Sequence, residues 1–314
     1  MPQTQRKLNI LVTGALGHIG SALIRSFPSS LVGNIILLDN LESQRYCSLF
    51  NLPKEFSYRF IEEDIRTADL NKHLQGIDVV IHLAALTNAE VSHAQKQEVE
   101  SVNFDGLKRV ANACLAQKIK LFFPSTTSVY GSQELRVNEE CAELIPQSPY
   151  AESKLNAEYH LRDLKAKGLQ FVTCRLGTIF GPSIGMRFHT AVNKFIWLAS
   201  TGRPLTVWKT ALRQKRPYLS LNDCLEATNF IIKHDIFNGE VYNILTENFT
   251  VENIITEIRN FIPDLNIDYV DSPIMNQLSY EVDDTKFRNL GFTPQGSLNE
   301  EIRNTINLLK GITK

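Results

Sequence analysis

The chain has 314 residues, 43% hydrophobic and 21% charged, with 33 Lys plus Arg against 34 Asp plus Glu and a formal net charge of −1. That balance suits a globular protein with a substantial buried core and excludes collagen, coiled coil, disorder and a disulfide scaffold. It supplies no basic field for nucleic acid and no apolar run near the ~18 residues of a membrane span, so neither partner is expected.

Residues 8–13 read as a buried strand that stops at Gly14, and 19–27 carry helical spacing. Further strands are expected at 34–39, 58–61, 78–83 and 121–125. A long helix is expected from about 98 to 116, with Val99, Val102, Leu107, Val110 and Ala111 on its apolar side. Another follows at 150–167, then a sixth strand at 171–176. Continuously apolar strands alternating with helices mark a parallel sheet covered on both faces. The expected fold is α/β, a Rossmann-like doubly wound sheet. Past residue 176 the rhythm breaks, with longer loops around Gly181 and Gly185, a strand plus helix at 218–232, and helices at 250–262 and 299–309. Residues 1–176 are therefore expected to form the larger, nucleotide-binding domain. Residues 177–314 form a smaller mixed α/β substrate domain, with 216–245 rejoining the first.

The cysteines are Cys47, Cys114, Cys141, Cys174 and Cys224, an odd number with no CxxC, which fits free thiols in a reducing cytoplasm. No histidine pair has zincin spacing, and no metal site is expected.

Gly14, Gly17 and Gly20 lie between the first strand and the first helix. Glycines there let the chain turn tightly and let a pyrophosphate approach the helix N-terminus, where His18 and Ile19 follow. Asp39 ends the second strand, 19 residues after Gly20, with Asn40 beside it. An acid in that place accepts hydrogen bonds from ribose hydroxyls and repels a 2′-phosphate, which favours NAD over NADP. The bland alternative for Asp39 is a turn cap. Tyr150 and Lys154 are four residues apart, one turn apart on the same helix face. An ammonium and a cationic nicotinamide stabilise a phenolate, which can then take a hydroxyl proton while hydride leaves. The bland alternative here is an ordinary amphipathic surface.

These motifs, with Asp64-Ile65, His82-Leu83-Ala84-Ala85, Asn103, Val129-Tyr130-Gly131, Arg175, Gly181-Pro182, Arg216 to Asp223 and Tyr242-Asn243, resemble the extended short-chain dehydrogenase/reductase family. Within it the chain is similar to the NAD-dependent nucleotide-sugar epimerases and dehydratases, UDP-galactose 4-epimerase-like. The resemblance implies NAD as cofactor and a nucleotide-diphosphate sugar as substrate. It places Asp64 and Ile65 at the adenine, Leu83, Ala84 and Ala85 beside the dinucleotide, Asn103 nearby, and Lys154 on the nicotinamide ribose. Thr126 would orient the reacting hydroxyl. Arg216 and Arg187 would take substrate phosphate, with Thr87 and Thr178 completing the contacts. Asp64 as a helix cap, Asn103 as a core amide and Arg216 in a solvated basic turn remain open. His82 is expected to be a packed strand residue. The family's 4,6-dehydratases carry Asp-Glu after the catalytic Thr; here Thr127 and Ser128 stand there, which disfavours dehydration. The implied activity is epimerisation through a transient keto sugar at C4. A net dehydrogenase or reductase and a non-catalytic NAD(H) sensor are the rivals. The family also implies a homodimer through the helices bearing Asn103 and Tyr150.

Overall fold

Seven short aliphatic runs form one parallel sheet in the computed structural model, which describes residues 6–131, 136–271 and 280–312, and the backbone alone at residues 90 and 91. In chain order the first half holds β1 (Leu8–Thr13), α1 (His18–Ser26), β2 (Val32–Asp39), β3 (Ser57–Glu62), α2 (Leu70–His73), β4 (Val79–His82), α3 (Ala89–Ser92), α4 (Lys96–Glu100), α5 (Gly106–Gln117), β5 (Lys120–Thr126), β6 (Arg136–Val137) and α6 (Pro149–Lys165). The second holds β7 (Phe171–Leu176), β8 (Thr178–Phe180), α7 (Ala191–Ser200), β9 (Leu205–Trp208), β10 (Arg216–Ser220), α8 (Leu221–Lys233), β11 (Val241–Ile244), β12 (Glu247–Phe249), α9 (Val251–Arg259), β13 (Ile267–Val270), β14 (Glu281–Val282), α10 (Thr285–Arg288) and α11 (Leu298–Leu308).

The large sheet has the order β11-β7-β5-β4-β1-β2-β3, with every pair parallel. The order reverses between β4 and β1, and ligands of such sheets bind outside the carboxyl ends at that switch point. Side chains alternate across the sheet with the two-residue period of a strand. Ile10, Val12, Ile35, Ile81, Phe122 and Val172 share one core with Leu23 of α1 and Leu225 of α8. Leu11, Val80, Leu121, Phe123 and Phe171 share the other with Leu107 of α5 and Leu161 of α6.

The expected long helix is interrupted. Between α4 and α5, Ser101–Asp105 forms a π turn. This wider turn sets Val102 and Asn103 inward and brings Gly106 against Ile65, whose Cγ2 would lie 3.0 Å from a Cβ at Gly106.

The segment 218–232 also differs from expectation. β10 pairs with β8 and β12 in a separate three-stranded sheet, because Tyr218 packs among Phe180 and Phe249 in the smaller core. It is α8 that packs against the large core and β11 that extends its sheet beside β7. The smaller core gathers Phe195 and Ile196 of α7, Ile254 and Ile258 of α9, and Ile302 of α11.

Candidate active site

A cleft of about 930 Å³ runs along the carboxyl ends of the large sheet. Its floor is the glycine turn. Gly14 has φ +63°, and a Cβ there would lie 2.6 Å from Ala84 N, so β1 and the chain leaving β4 touch backbone to backbone. A Cβ at Gly20 would lie 2.5 Å from Gly14 O, so α1 packs directly under the turn. Gly17 caps α1 without a side-chain cap and faces the cleft. The first turn of α1 holds no acid, leaving its positive end open to an anion.

At one end lie Asp39, Asn40, Asp64 and Ile65. The Asp39 carboxylate accepts from Leu16 N at 3.1 Å and Leu41 N at 3.0 Å. It therefore caps its turn and also faces the cleft. Asn40 donates to Asp64 at 3.1 Å. Hydrogen bonds from the Arg66 guanidinium pull the Asp64 carboxyl down to about 2. Thr13 Oγ1 accepts from Ala84 N at 3.2 Å and pairs with His82 Nδ1 at 2.8 Å, which fixes the wall formed by Leu83, Ala84 and Ala85. His82 is buried against Phe123, and burial pushes it down to about 3.

The other end is built by α6 and β5. Ser148 caps α6 by accepting from Ala151 N at 3.2 Å, and Pro149 opens the first turn, which fixes where Tyr150 enters. Thr126 ends β5, caps the next turn through Ser128 N at 3.1 Å, and lines the cleft together with Tyr150. Burial raises Tyr150 to about 12, against the pull of Thr126 and the Arg187 charge. Lys154 is 3% exposed, and burial lowers it to about 7 against the charge of Glu158. Its ammonium donates to Pro124 O at 2.9 Å and lies 4.7 Å from the centre of the Phe123 ring. The cation acting on Tyr150 in this arrangement is thus Arg187, where Lys154 was expected. A buried ammonium takes the nearest carbonyl rather than stay unpaired.

Thr87, Thr178 and Arg187 line the cleft, and Arg187 donates to Thr87 Oγ1. The loop carrying Arg187 is laid over the glycine turn. Gly185 N donates to Ser21 Oγ at 2.9 Å, and His18 Nε2 meets Gly181 O at 2.9 Å. Burial lowers His18 to about 4, so its neutral ring donates to that carbonyl.

Two expected residues are not brought to the lining. Asn103 Oδ1 accepts from Leu86 N at 2.8 Å, and its Nδ2 donates to Leu86 O at 3.0 Å and Ser153 Oγ at 3.1 Å. Its amide braces the cleft wall from behind, as the core-amide alternative has it. The Arg216 guanidinium lies over the Tyr280 ring at 4.7 Å, because β10 belongs to the smaller sheet.

Sequence reasoning missed Arg45 and His189, which line the cleft. Both sit in irregular loops, where no periodicity assigns a direction. Arg45 and Arg187 feel each other's charge, and burial together with both arginines lowers His18 and His189 to about 4, leaving neutral rings beside two guanidinium groups. This is a basic cluster over the glycine turn. Of the lining acids, Asp39 ends β2, Glu42 follows it, and Glu63 and Asp64 follow β3. From Leu83 onward, through β5, α6 and the loop bearing Arg187, the described lining residues include no carboxylate. Thr127 is turned away, donating to Leu176 O at 3.3 Å. Among the described residues no group of three or more His, Cys, Asp and Glu is placed to hold a metal, and no helix is long and apolar enough to cross a membrane.

The model of the NAD dependent epimerase/dehydratase family matches residues 10–244. A trifunctional UDP-glucose 4,6-dehydratase/UDP-4-keto-6-deoxy-D-glucose 3,5-epimerase/UDP-4-keto-L-rhamnose-reductase of Arabidopsis thaliana is 33% identical over 320 residues, 95% of this chain and 46% of its own length. The chain spans about half the length of such relatives. The UDP-glucuronic acid 4-epimerase of Bacillus cereus, solved with UDP-glucuronic acid and NAD, is 28% identical, with 96% of this chain and 99% of that one covered and a TM-score of 0.88. The UDP-N-acetylglucosamine 4-epimerase of Methanobrevibacter ruminantium, solved with UDP-N-acetylmuramic acid, is 26% identical, with 96% and 98% covered and a TM-score of 0.86.

Proposed function

The chain belongs to the NAD-dependent epimerase/dehydratase family, extended short-chain dehydrogenase/reductase enzymes, and on that premise we propose that it is a nucleotide-sugar 4-epimerase. The observation that carries this reading is that the described cleft lining from Leu83 onward, which includes Thr126, Tyr150 and Arg187, offers hydroxyls and a guanidinium but no carboxylate. Elimination of water needs an acid and a base beside the sugar ring. Epimerisation needs one group that takes and returns a hydroxyl proton.

The residues present fit NAD. Gly17 leaves the positive end of α1 bare, the basic cluster suits a pyrophosphate, and Asp39 offers a carboxylate to ribose. Bound NAD would supply the acceptor for the sugar hydride and give it back. Tyr150 removes the proton from the sugar hydroxyl and returns it. Thr126 holds that hydroxyl against the phenolic oxygen. The charge of Arg187 favours the developing phenolate, and the Lys154 ammonium is assigned to the nicotinamide ribose. Arg187 has a buried Nε without a hydrogen-bond partner among the described residues, and a guanidinium receives phosphate or carboxylate through paired donors. Both solved relatives hold UDP-linked sugar acids, so Arg187 is assigned to the anionic part of the substrate. The protein is further proposed to act as a homodimer through α5 and α6, whose outer face exposes Tyr159.

The test is a panel of UDP- and dTDP-hexoses and hexuronic acids, incubated with NAD in deuterated water and read by NMR. The expected product is the 4-epimer without deuterium at C5. A 4-keto-6-deoxy sugar carrying solvent deuterium would overturn the reading in favour of dehydration.

A further inference from the structure

We propose that Glu158 is a positioning residue of this site: held by Arg175, its carboxylate clamps the carboxyl end of β5 and sets a negative charge beside the Lys154 ammonium. This rests on the reading of Tyr150 and Lys154 given above. Tyr150, Lys154 and Glu158 are spaced four apart on α6, so they form one stripe toward the sheet. Glu158 is 6% and Arg175 4% exposed. Arg175 Nη2 donates to Glu158 Oε2 at 2.7 Å, and its Nε lies 3.1 and 3.2 Å from the two oxygens. Ser125 Oγ donates to the same carboxylate. Ser125 and Arg175 are register partners across β5 and β7, so three elements meet on one carboxylate.

The clamp grips between two working atoms. Pro124 O, which holds the Lys154 ammonium, precedes Ser125, and Thr126 follows it. The charged and titratable groups facing Lys154 are Glu158 on α6, His82 on β4, and Arg175 on β7 behind Glu158. Burial drives Lys154 toward the neutral amine, and Glu158 opposes it. A buried ion pair is a weak source of stability. Its consequence here is placement and field: it fixes the β5 end and favours the ammonium.

The experiment is an NMR titration of isotopically labelled lysine in the full chain, with the Lys154 signal assigned by its loss in Lys154→Met. In Glu158→Gln the Lys154 titration is expected to move down by about one pH unit, because the charge favouring the ammonium is gone. The alkaline limb of turnover moves to lower pH with it, and Glu158→Asp restores both in part. Because a single variant strands the Arg175 charge, the paired change Glu158→Gln with Arg175→Met removes both ions and is expected to fold and to show the same direction of shift. An unchanged Lys154 titration in either folded variant overturns the proposal. If no nucleotide sugar turns over, the proposed function fails while the titration still decides this inference.

Discussion

Replacing Gly17 and Gly14 separately divides the work of the glycine turn into binding and folding. Gly17 sits at φ −69° and ψ −176°, open to any residue, and its added Cβ would come no closer than 3.3 Å to Gly14 O. Gly17→Ala should cost the fold under about 1 kcal/mol. Its methyl, however, stands where a pyrophosphate meets the amides of α1. Losing about two charge-assisted hydrogen bonds costs about 3 kcal/mol, roughly a 100-fold weaker NAD affinity. Gly14→Ala places a methyl at φ +63°, 2.6–2.8 Å from the Leu83 and Ala84 backbone. The left-handed backbone and the overpacking together cost about 2–5 kcal/mol, on the order of 5–10 °C in Tm. Calorimetric NAD titration and thermal melts of both variants read the two effects. Wild-type NAD affinity in Gly17→Ala would refute the assignment of the pyrophosphate to this turn.

Tyr150→Phe should lower turnover by about 10²–10⁴-fold while NAD binding, measured by calorimetry, stays within about twofold of wild type; a protein that only senses NAD would lose nothing. Asn103→Ala strips the Leu86 backbone of buried partners and should cost about 2–4 kcal/mol, read from urea midpoints. His82 has a folded-state pKa of about 3 against an ordinary 6.5, so the unfolded chain takes the proton first. Stability is lost as pH falls through that window, about 3 kcal/mol by about pH 4, and His82→Leu should flatten this part of the acid limb in urea titrations.

Regular elements were legible because burial imposes a period. The apolar runs at 8–13 and 171–176 returned as β1 and β7 with those bounds. The π turn was not legible, since a one-residue widening leaves the apolar spacing of residues 98–116 nearly intact. Tyr150, Lys154 and Thr126 stand on elements whose register the pattern sets, and the structure brings all three to the cleft. Arg45 and His189 stand in loops, and the direction of the loop bearing His189 depends on distant partners, Ser21 and His18. Arg216 shows the converse: its local motif reads clearly, but the sheet that β10 joins decides which way it faces, and no local signal carries that choice.

The most direct test of the epimerase reading is the yield of converted sugar per NAD. Purified protein is given limiting NAD and an excess of whichever nucleotide sugar the panel identifies, and sugars and NADH are quantified together. The proposed cycle returns the hydride each time, so product should exceed NAD many times over with no net NADH. Conversion that stops near one sugar per NAD, with NADH accumulating, would contradict it and identify a net dehydrogenase.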